Sequence, residues 1–187
     1  MGSEMCIRDR FRVPPEQIHE AISKTLKGLQ KSESLQRAVS KLLVVDDAVL
    51  RQTVFGVDFP RPLGLAAGFD KAAIAPDCWG PIGFGYAELG TVTAKPQPGN
   101  DRPRLFRLKE DRAILNRMGF NNPGAATVAE NLRARRSDDV IGINIGKTKV
   151  TPLEEAVDDY RESASQLGDL ADYVVCLLYT SPSPRDS

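Results

Sequence analysis

PLGLAAGFDK, residues 62–71, compresses an apolar segment, small residues, a glycine and a charged pair into one short stretch. Leu63, Leu65, Ala66 and Ala67 predict a buried strand over residues 63–69, and Gly68 permits either a sharp turn or the close approach of a ligand. Asp70 and Lys71 follow where that strand ends. Charges at the carboxyl end of a buried parallel strand are where α/β enzymes keep their chemistry. For the stretch by itself, a turn whose lysine only points into water is the plainer alternative.

The same unit recurs downstream. Residues 86–92 (YAELGTV) read as a strand bearing Thr91 and followed by Thr93, residues 140–145 (VIGINI) as another, and residues 173–178 as a fourth. Between them the pattern predicts a short helix after Lys71, to about residue 80, a helix over 123–135, and one from Thr151 to about Leu167. Thr151 has N-cap chemistry, with Pro152 in the first helical position and Glu154 and Glu155 in the first turn. AKPQPGNDRPRLFRL, residues 94–108, is too rich in Pro and Gly for helix, and its RLFRL end is expected to pair as a β-ribbon. NRMGFNNPG, residues 116–124, reads as a loop dense in amides.

Upstream, Ile18, Ala21, Ile22, Leu26 and Leu29, then Leu35, Val39, Leu42 and Leu43, recur at helical spacing, so two amphipathic helices precede the first strand. FGVDF, residues 55–59, reads as a short extended segment held off the next strand by Pro60 and Pro62. Alternating strand and helix predicts a parallel sheet with helical crossovers. Four units are visible where a closed (β/α)8 barrel needs eight, so the sheet is either open or half of a barrel.

With 187 residues, 41% hydrophobic and 27% charged, the chain has the make-up of a soluble globular domain with a real core. Its 25 basic and 25 acidic side chains cancel, leaving no global field that favours nucleic acid or a membrane surface. Cys6, Cys78 and Cys176 are scattered and form no CxxC pair, which argues against a disulfide framework and for a reducing compartment. His19 is the only histidine, so no metal site is expected. No apolar run approaches a membrane span and no secretory signal is visible, which makes the cytosol the simplest location. The two N-terminal helices serve either as ordinary packing or as an apolar platform for a partner or a bilayer surface.

Two phosphate-binding patterns fail on spacing. GINIGKT, residues 142–148, has one residue too few between its glycines for a Walker loop, and GFGYAELG, residues 83–90, puts the third glycine of a dinucleotide fingerprint too late and inside a strand. What remains is a set of polar residues at strand C-termini: Lys71, Thr91, Asn144 with Lys147, and the loop 116–122. Amides suit a planar ligand whose edge alternates donors and acceptors. Gly68, Gly90, Gly119 and Gly146 would let backbone N–H groups approach a flat ring or a phosphate. A planar heterocycle carrying a phosphate is a flavin nucleotide; amides that cap their own turns are the alternative for any one of these residues.

GLAAGFDK, ELGTVTAKPQPGNDRPRLFRL, NRMGFNN and GINIGKTKVTPLEEAVDDY resemble, in this order and spacing, the N-terminal half of the membrane-associated, quinone-using class of dihydroorotate dehydrogenases, over about residues 14–175. The helices before Phe55, with Pro15, Glu16 and His19, resemble that class's N-terminal extension. The resemblance implies an α/β fold, a (β/α)8 TIM barrel truncated to about its first four βα units and preceded by a small helical subdomain. Residues 1–10 would be a non-native leader, 11–53 the helical subdomain on the membrane and quinone side, 54–175 the first half of the FMN-binding barrel, and 176–187 a non-native tail.

The resemblance also implies FMN as cofactor, lined by Ala67, Gly68, Phe69, Asp70, Lys71, Thr91 and Asn144. It implies dihydroorotate as substrate, with Lys71, Asn116, Arg117, Met118, Gly119 and Phe120 at the orotate ring, and neither a metal nor nucleic acid. The implied reaction belongs to de novo pyrimidine biosynthesis: a base removes the C5 proton, hydride leaves C6 for flavin N5, and a quinone reoxidises the flavin. The enzyme would be cytoplasmic and peripheral to the inner membrane. A lysine beside the ring suits this chemistry, because fixed positive charge stabilises electron density developing there.

The match breaks after Val175. The family continues with a strand Asn and a Ser-Ser-Pro-Asn loop whose second Ser is the base, whereas residues 176–187 read CLLYTSPSPRDS. Leu177 stands at the Asn position and Thr180 at that of the base; Ser181 reaches it only with a slip of one residue, so a catalytic residue is present nominally at most. Cys176 does not substitute, since Leu177 rather than a proline follows it. SEMCIRDR and CLLYTSPSPRDS read as translated adapter sequence joined to a genuine gene fragment, a natural divergent tail being the alternative. Half a barrel would leave an unpaired edge and a half-covered core, so the chain alone is expected to be unstable and inactive. Two other functions stand open: a non-enzymatic chain whose helices bind a membrane or a partner, and another FMN-dependent barrel oxidoreductase.

Overall fold

The computed structural model describes residues 13–108 and 110–178. Thr180, Ser181, the leader at 1–10 and most of the tail at 176–187 lie outside the described residues.

Two helices come first, α1 (Pro15–Gln30) and α2 (Glu33–Leu43). Pro15 suits the first helical position, where a missing N–H costs nothing. Ser32 caps α2, its Oγ accepting from Leu35 N at 3.3 Å. Leu26 and Leu29 of α1 enter the core, whereas Leu35, Leu42 and Leu43 of α2 stay exposed. Next, β1 (Gln52–Val54) and β2 (Val57–Phe59) form an antiparallel hairpin. Its turn holds Phe55 and Gly56 at φ 51° and 82°, so the extended segment expected at 55–59 begins as a hairpin tip.

The remaining strands are β3 (Gly64–Leu65), β4 (Tyr86–Val92), β5 (Leu105–Leu108), β6 (Ala113–Asn116), β7 (Val140–Gly146) and β8 (Tyr173–Leu177). β3, β4, β7 and β8 lie side by side in that order as one parallel sheet. Helix α3 (Ala125–Arg133) lies in the crossover from β4 to β7, and α4 (Ala156–Leu167) in that from β7 to β8. The β5–β6 pair is the expected antiparallel ribbon, inserted before α3. Its second strand takes in Asn116, which the sequence reading assigns to a loop.

Alternation along the strands separates two faces. Ala87 and Leu89 of β4 and Ile141, Ile143 and Ile145 of β7 share one core with Val128, Ala129 and Leu132 of α3 and Leu167 of α4. The other face carries Glu88 and Asn144. At the end where these strands start, Phe59, Tyr86 and Tyr173 cluster, the ring centroids of Phe59 and Tyr86 lying 5.2 Å apart.

Three local expectations are corrected. The strand expected at 63–69 is only Gly64–Leu65, because the chain turns at Gly68 (φ 105°), whose N–H donates to Gly90 O at 2.7 Å. The helix expected after Lys71 is replaced by turns and one 3-10 turn, Pro76–Cys78. Asp70 takes the amides of Ile74 and Ala75, at 2.9 and 3.2 Å, and Pro76 has no amide to continue a helix. Thr151 does not cap α4, which begins at Ala156 after a 3-10 turn over Leu153–Glu155; the Thr151 hydroxyl donates to Asp159 Oδ1 at 2.9 Å.

The four parallel strands form an open sheet with β3 and β8 at its edges, and no closed barrel is present among the described residues. Among the same residues no helix is long and apolar enough to cross a membrane.

Candidate functional site

The parallel register gathers the polar residues at the carboxyl ends of the strands. Gly90 of β4 sits opposite Asn144 of β7, and Gly68, just past β3, is hydrogen-bonded to Gly90. Thr91 Oγ1 donates to Asn144 Oδ1 at 2.8 Å, and Asn144 Nδ2 donates to Glu88 Oε1 at 2.9 Å. Thr91 and Asn144 are buried, so this chain of hydrogen bonds holds both side chains in fixed orientation. The Gly90–Thr91 peptide is cis. A side chain at Gly90 would collide with Asn144 O, whereas one at Gly68 would begin in open space.

Lys71 stands at the next position outward. Its Nζ lies 2.8 Å from Asn121 Oδ1 and 3.2 Å from Met118 Sδ, which ties the turn after β3 to the amide loop. Burial, helped by the nearby Arg104 guanidinium and opposed by Glu16, lowers the lysine to about 8. A cleft of about 550 Å³ opens here between α1 and the strand ends, with His19, Phe69, Lys71, Gln97, Met118 and Asn121 in its wall. His19 of α1 bonds Phe69 O through Nε2 at 2.8 Å and sets its ring edge-on to Phe69.

The remaining expected residues divide. Ala67 and Gly68 line the open strand end, with Gly68 exposed. Asp70 is buried, and both its oxygens are committed to the Ile74 and Ala75 amides, so its side chain shapes the turn that presents Lys71. Burial also pushes its carboxyl above the usual range. Met118, Gly119 and Phe120 are half-buried, the last two at φ 71° and 53°. Asn116 and Arg117 are not gathered around Lys71: Asn116 Oδ1 accepts Met118 N at 3.0 Å, and the exposed Arg117 lies over the Phe106 ring and bonds Pro103 O. Lys147 ties its own loop through Thr148 O and Thr151 O.

Sequence reasoning missed Asn121 as the lysine's partner, although the paired asparagines of NRMGFNN were its signal. It also missed Arg104 and Glu16. Arg104 is buried; its Nε and Nη2 reach Glu16 Oε1 at 3.1 and 2.8 Å, and its Nη1 reaches Pro98 O and Asn100 O. Nothing in the spacing of residues 16 and 104 connects them.

The residues present fit a flat, hydrogen-bonding cofactor ring. Gly68 leaves open space beside a backbone turn, Thr91 and Asn144 are oriented next to it, and a cation stands at its rim. Among the described residues no group of three or more His, Cys, Asp or Glu could hold a metal ion.

Comparison with known proteins agrees on one family. The model of the dihydroorotate dehydrogenase family matches residues 49–183. The dihydroorotate dehydrogenase (quinone) of Corynebacterium efficiens is 64% identical over 178 residues, which is 95% of this chain and 47% of that protein. The protein of the same description from Rhodococcus opacus is 54% identical over 180 residues, 96% of this chain and 51% of that one. The crystal structure of DHODH from Eimeria tenella in complex with ferulenol matches with a TM-score of 0.71 at 39% identity, covering 87% of this chain and 43% of the other. The chain spans about half the length of the curated relatives it matches.

Proposed function

Because this chain belongs to the dihydroorotate dehydrogenase family, we propose that the whole protein oxidises dihydroorotate to orotate with FMN and delivers the electrons to a quinone. The observation that carries this reading is Lys71, a desolvated cation in the turn after β3, fastened to Met118 and Asn121, while the neighbouring Asp70 O accepts Gly90 N beside the buried Thr91–Asn144 pair. In this reading the parallel sheet supplies the first four units of a TIM barrel, within residues 54–175, and its sequential strand order supports that assignment. Helices α1 and α2, within the subdomain expected at 11–53, form the part on the quinone side. The exposed Leu35, Leu42 and Leu43 of α2 support peripheral contact with the inner membrane.

Bound FMN supplies the hydride-accepting ring. The chain's own residues bind and orient. Ala67, Gly68 and Phe69 offer backbone at the open strand end, while the Thr91 hydroxyl and Asn144 carboxamide offer donors and acceptors held in place by each other and by Glu88. Asn116 at the end of β6 and the following Arg117, Met118, Gly119 and Phe120 shape the place of the orotate ring. Lys71, still largely protonated near neutral pH, sets positive charge beside the anionic substrate. Helix α1 walls the cleft over Lys71 and limits water around that charge.

The whole protein is expected to purify with flavin absorbance that dihydroorotate bleaches without oxygen and a quinone restores. Bound flavin that dihydroorotate leaves oxidised would overturn the reading.

A further inference from the structure

We propose that Gln97 is a positioning residue for the substrate loop, latching residues 119–122 to the segment after β4 and to the loop after β7. This rests on the reading that residues 116–120 hold the orotate ring. The Gln97 side chain makes three hydrogen bonds, all to backbone: Nε2 donates to Gly119 O at 3.3 Å and to Phe120 O at 3.1 Å, and Oε1 accepts from Lys149 N at 3.0 Å. Its own N–H and C=O exchange hydrogen bonds with Asn122, each 3.0 Å. One residue therefore gathers three loops that the sequence places far apart.

The chemistry of the side chain is specific. Only a carboxamide supplies two donors and an acceptor from one planar group, and Gln has the reach to use them here. Glutamate keeps the length, loses both donors and sets a negative charge against two carbonyl oxygens. The backbone that Gln97 grips is also one that does not hold itself: Phe120, a bulky residue, sits at φ 53°, which persists only where surrounding contacts enforce it. Asn122 adds to the grip from the other side, its Nδ2 donating to Phe120 O at 2.8 Å and its Oδ1 accepting from Thr93 N and Gly124 N. Gln97 shares the cleft wall with Lys71 and Met118. Its polar side-chain atoms are occupied by backbone groups, so it acts on a ligand through the loop.

The test uses the whole protein with Gln97→Ala and Gln97→Glu, read in three ways: orotate titration by the change in flavin absorbance, hydrogen exchange of residues 119–122, and flavin content with the unfolding midpoint. Both variants are expected to keep their flavin, to exchange faster at 119–122, and to bind orotate about tenfold or more weakly, since small misplacements of binding groups have effects of that order or larger. Orotate binding within about twofold of the unaltered protein, or unaltered exchange at 119–122, overturns the proposal. So does loss of flavin and fold in both variants, because the role would then be structural. Failure of the underlying reading looks different: orotate would not titrate the unaltered protein at all, and that removes the substrate role whatever the exchange shows.

Discussion

Lys71 Nζ and Asn121 Oδ1 lie 2.8 Å apart, joining the turn after the first parallel strand to a loop fifty residues further along the chain. The contact places the site's cation where burial lowers it to about 8, with Arg104 pushing the same way and Glu16 against. Orotate affinity is therefore expected to fall as pH rises from about 7 to about 9, because Lys71 loses its charge in that window. Lys71→Met should bind orotate more weakly and without that slope. A dissociation constant for the unaltered protein that stays flat across the window contradicts this assignment. The same shift makes a stability prediction of opposite sense. The unfolded lysine holds its proton up to its ordinary 10.5, so the folded state binds fewer protons between about 8 and 10.5, and this group's contribution to stability rises with pH there.

Asp70 stabilises the turn that presents Lys71. Its carboxylate accepts the Ile74 and Ala75 amides from a buried position, and Asp70→Ala leaves both donors without a partner. We expect a loss of about 1–3 kcal/mol in unfolding free energy by denaturant titration. Asp70→Asn, which keeps one acceptor oxygen, should lose less.

Gly142 sits opposite Tyr173 in the sheet, and a side chain built there would overlap the tyrosine ring. Gly142→Ala is expected to cost about 1–3 kcal/mol through forced displacement of that ring, which also packs near Phe59 and Tyr86. Gly28, inside α1 with nothing near a new side chain, is the contrasting site. Gly28→Ala should stabilise by about 0.5–1 kcal/mol, and thermal unfolding of the two variants should move in opposite directions.

Glu16 is the carboxylate partner of the buried Arg104, with the exposed Arg102 also within 3.1 Å. Removing the half-buried Glu16 carboxylate leaves the buried Arg104 charge without its counter-ion; since Arg104 keeps two carbonyl acceptors, the cost falls below the ~3–5 kcal/mol of a fully buried pair. Glu16→Ala should therefore unfold at a lower denaturant concentration and expose α1 to protease. Because Arg104 also holds Pro98 O and Asn100 O, and Asn100 holds Met118 O, the same variant should bind orotate less well.

Much of the architecture was legible because it follows from local periodicity. The apolar runs at 86–92 and 140–146 can satisfy their backbone only beside other strands, and their alternation against amphipathic helices leaves a parallel sheet as the solution. Short elements were less legible. The segment after Lys71 looked helical until the Asp70 carboxylate took two of its amides, and Thr151 looked like a cap until Asp159 accepted its hydroxyl. In both places a side chain competed with the backbone pattern, and no propensity records where such a side chain points.

For the site, residue order alone assigns the polar groups to the strand ends: Lys71 after a glycine turn, Thr91 and Asn144 one strand apart, and an amide-rich loop at 116–122. Strand direction and register follow from the hydrophobic pattern, and they deliver those residues to one edge. Which of them meet is a matter of packing between distant elements. That packing chose Asn121 and Met118 rather than Asn116 and Arg117 as partners of Lys71, set Gln97 across three loops, and brought Glu16 to Arg104. These pairings depend on where α1 and the β5–β6 ribbon come to rest against the sheet. That placement is set by the burial of whole faces, and it has no counterpart in residue spacing.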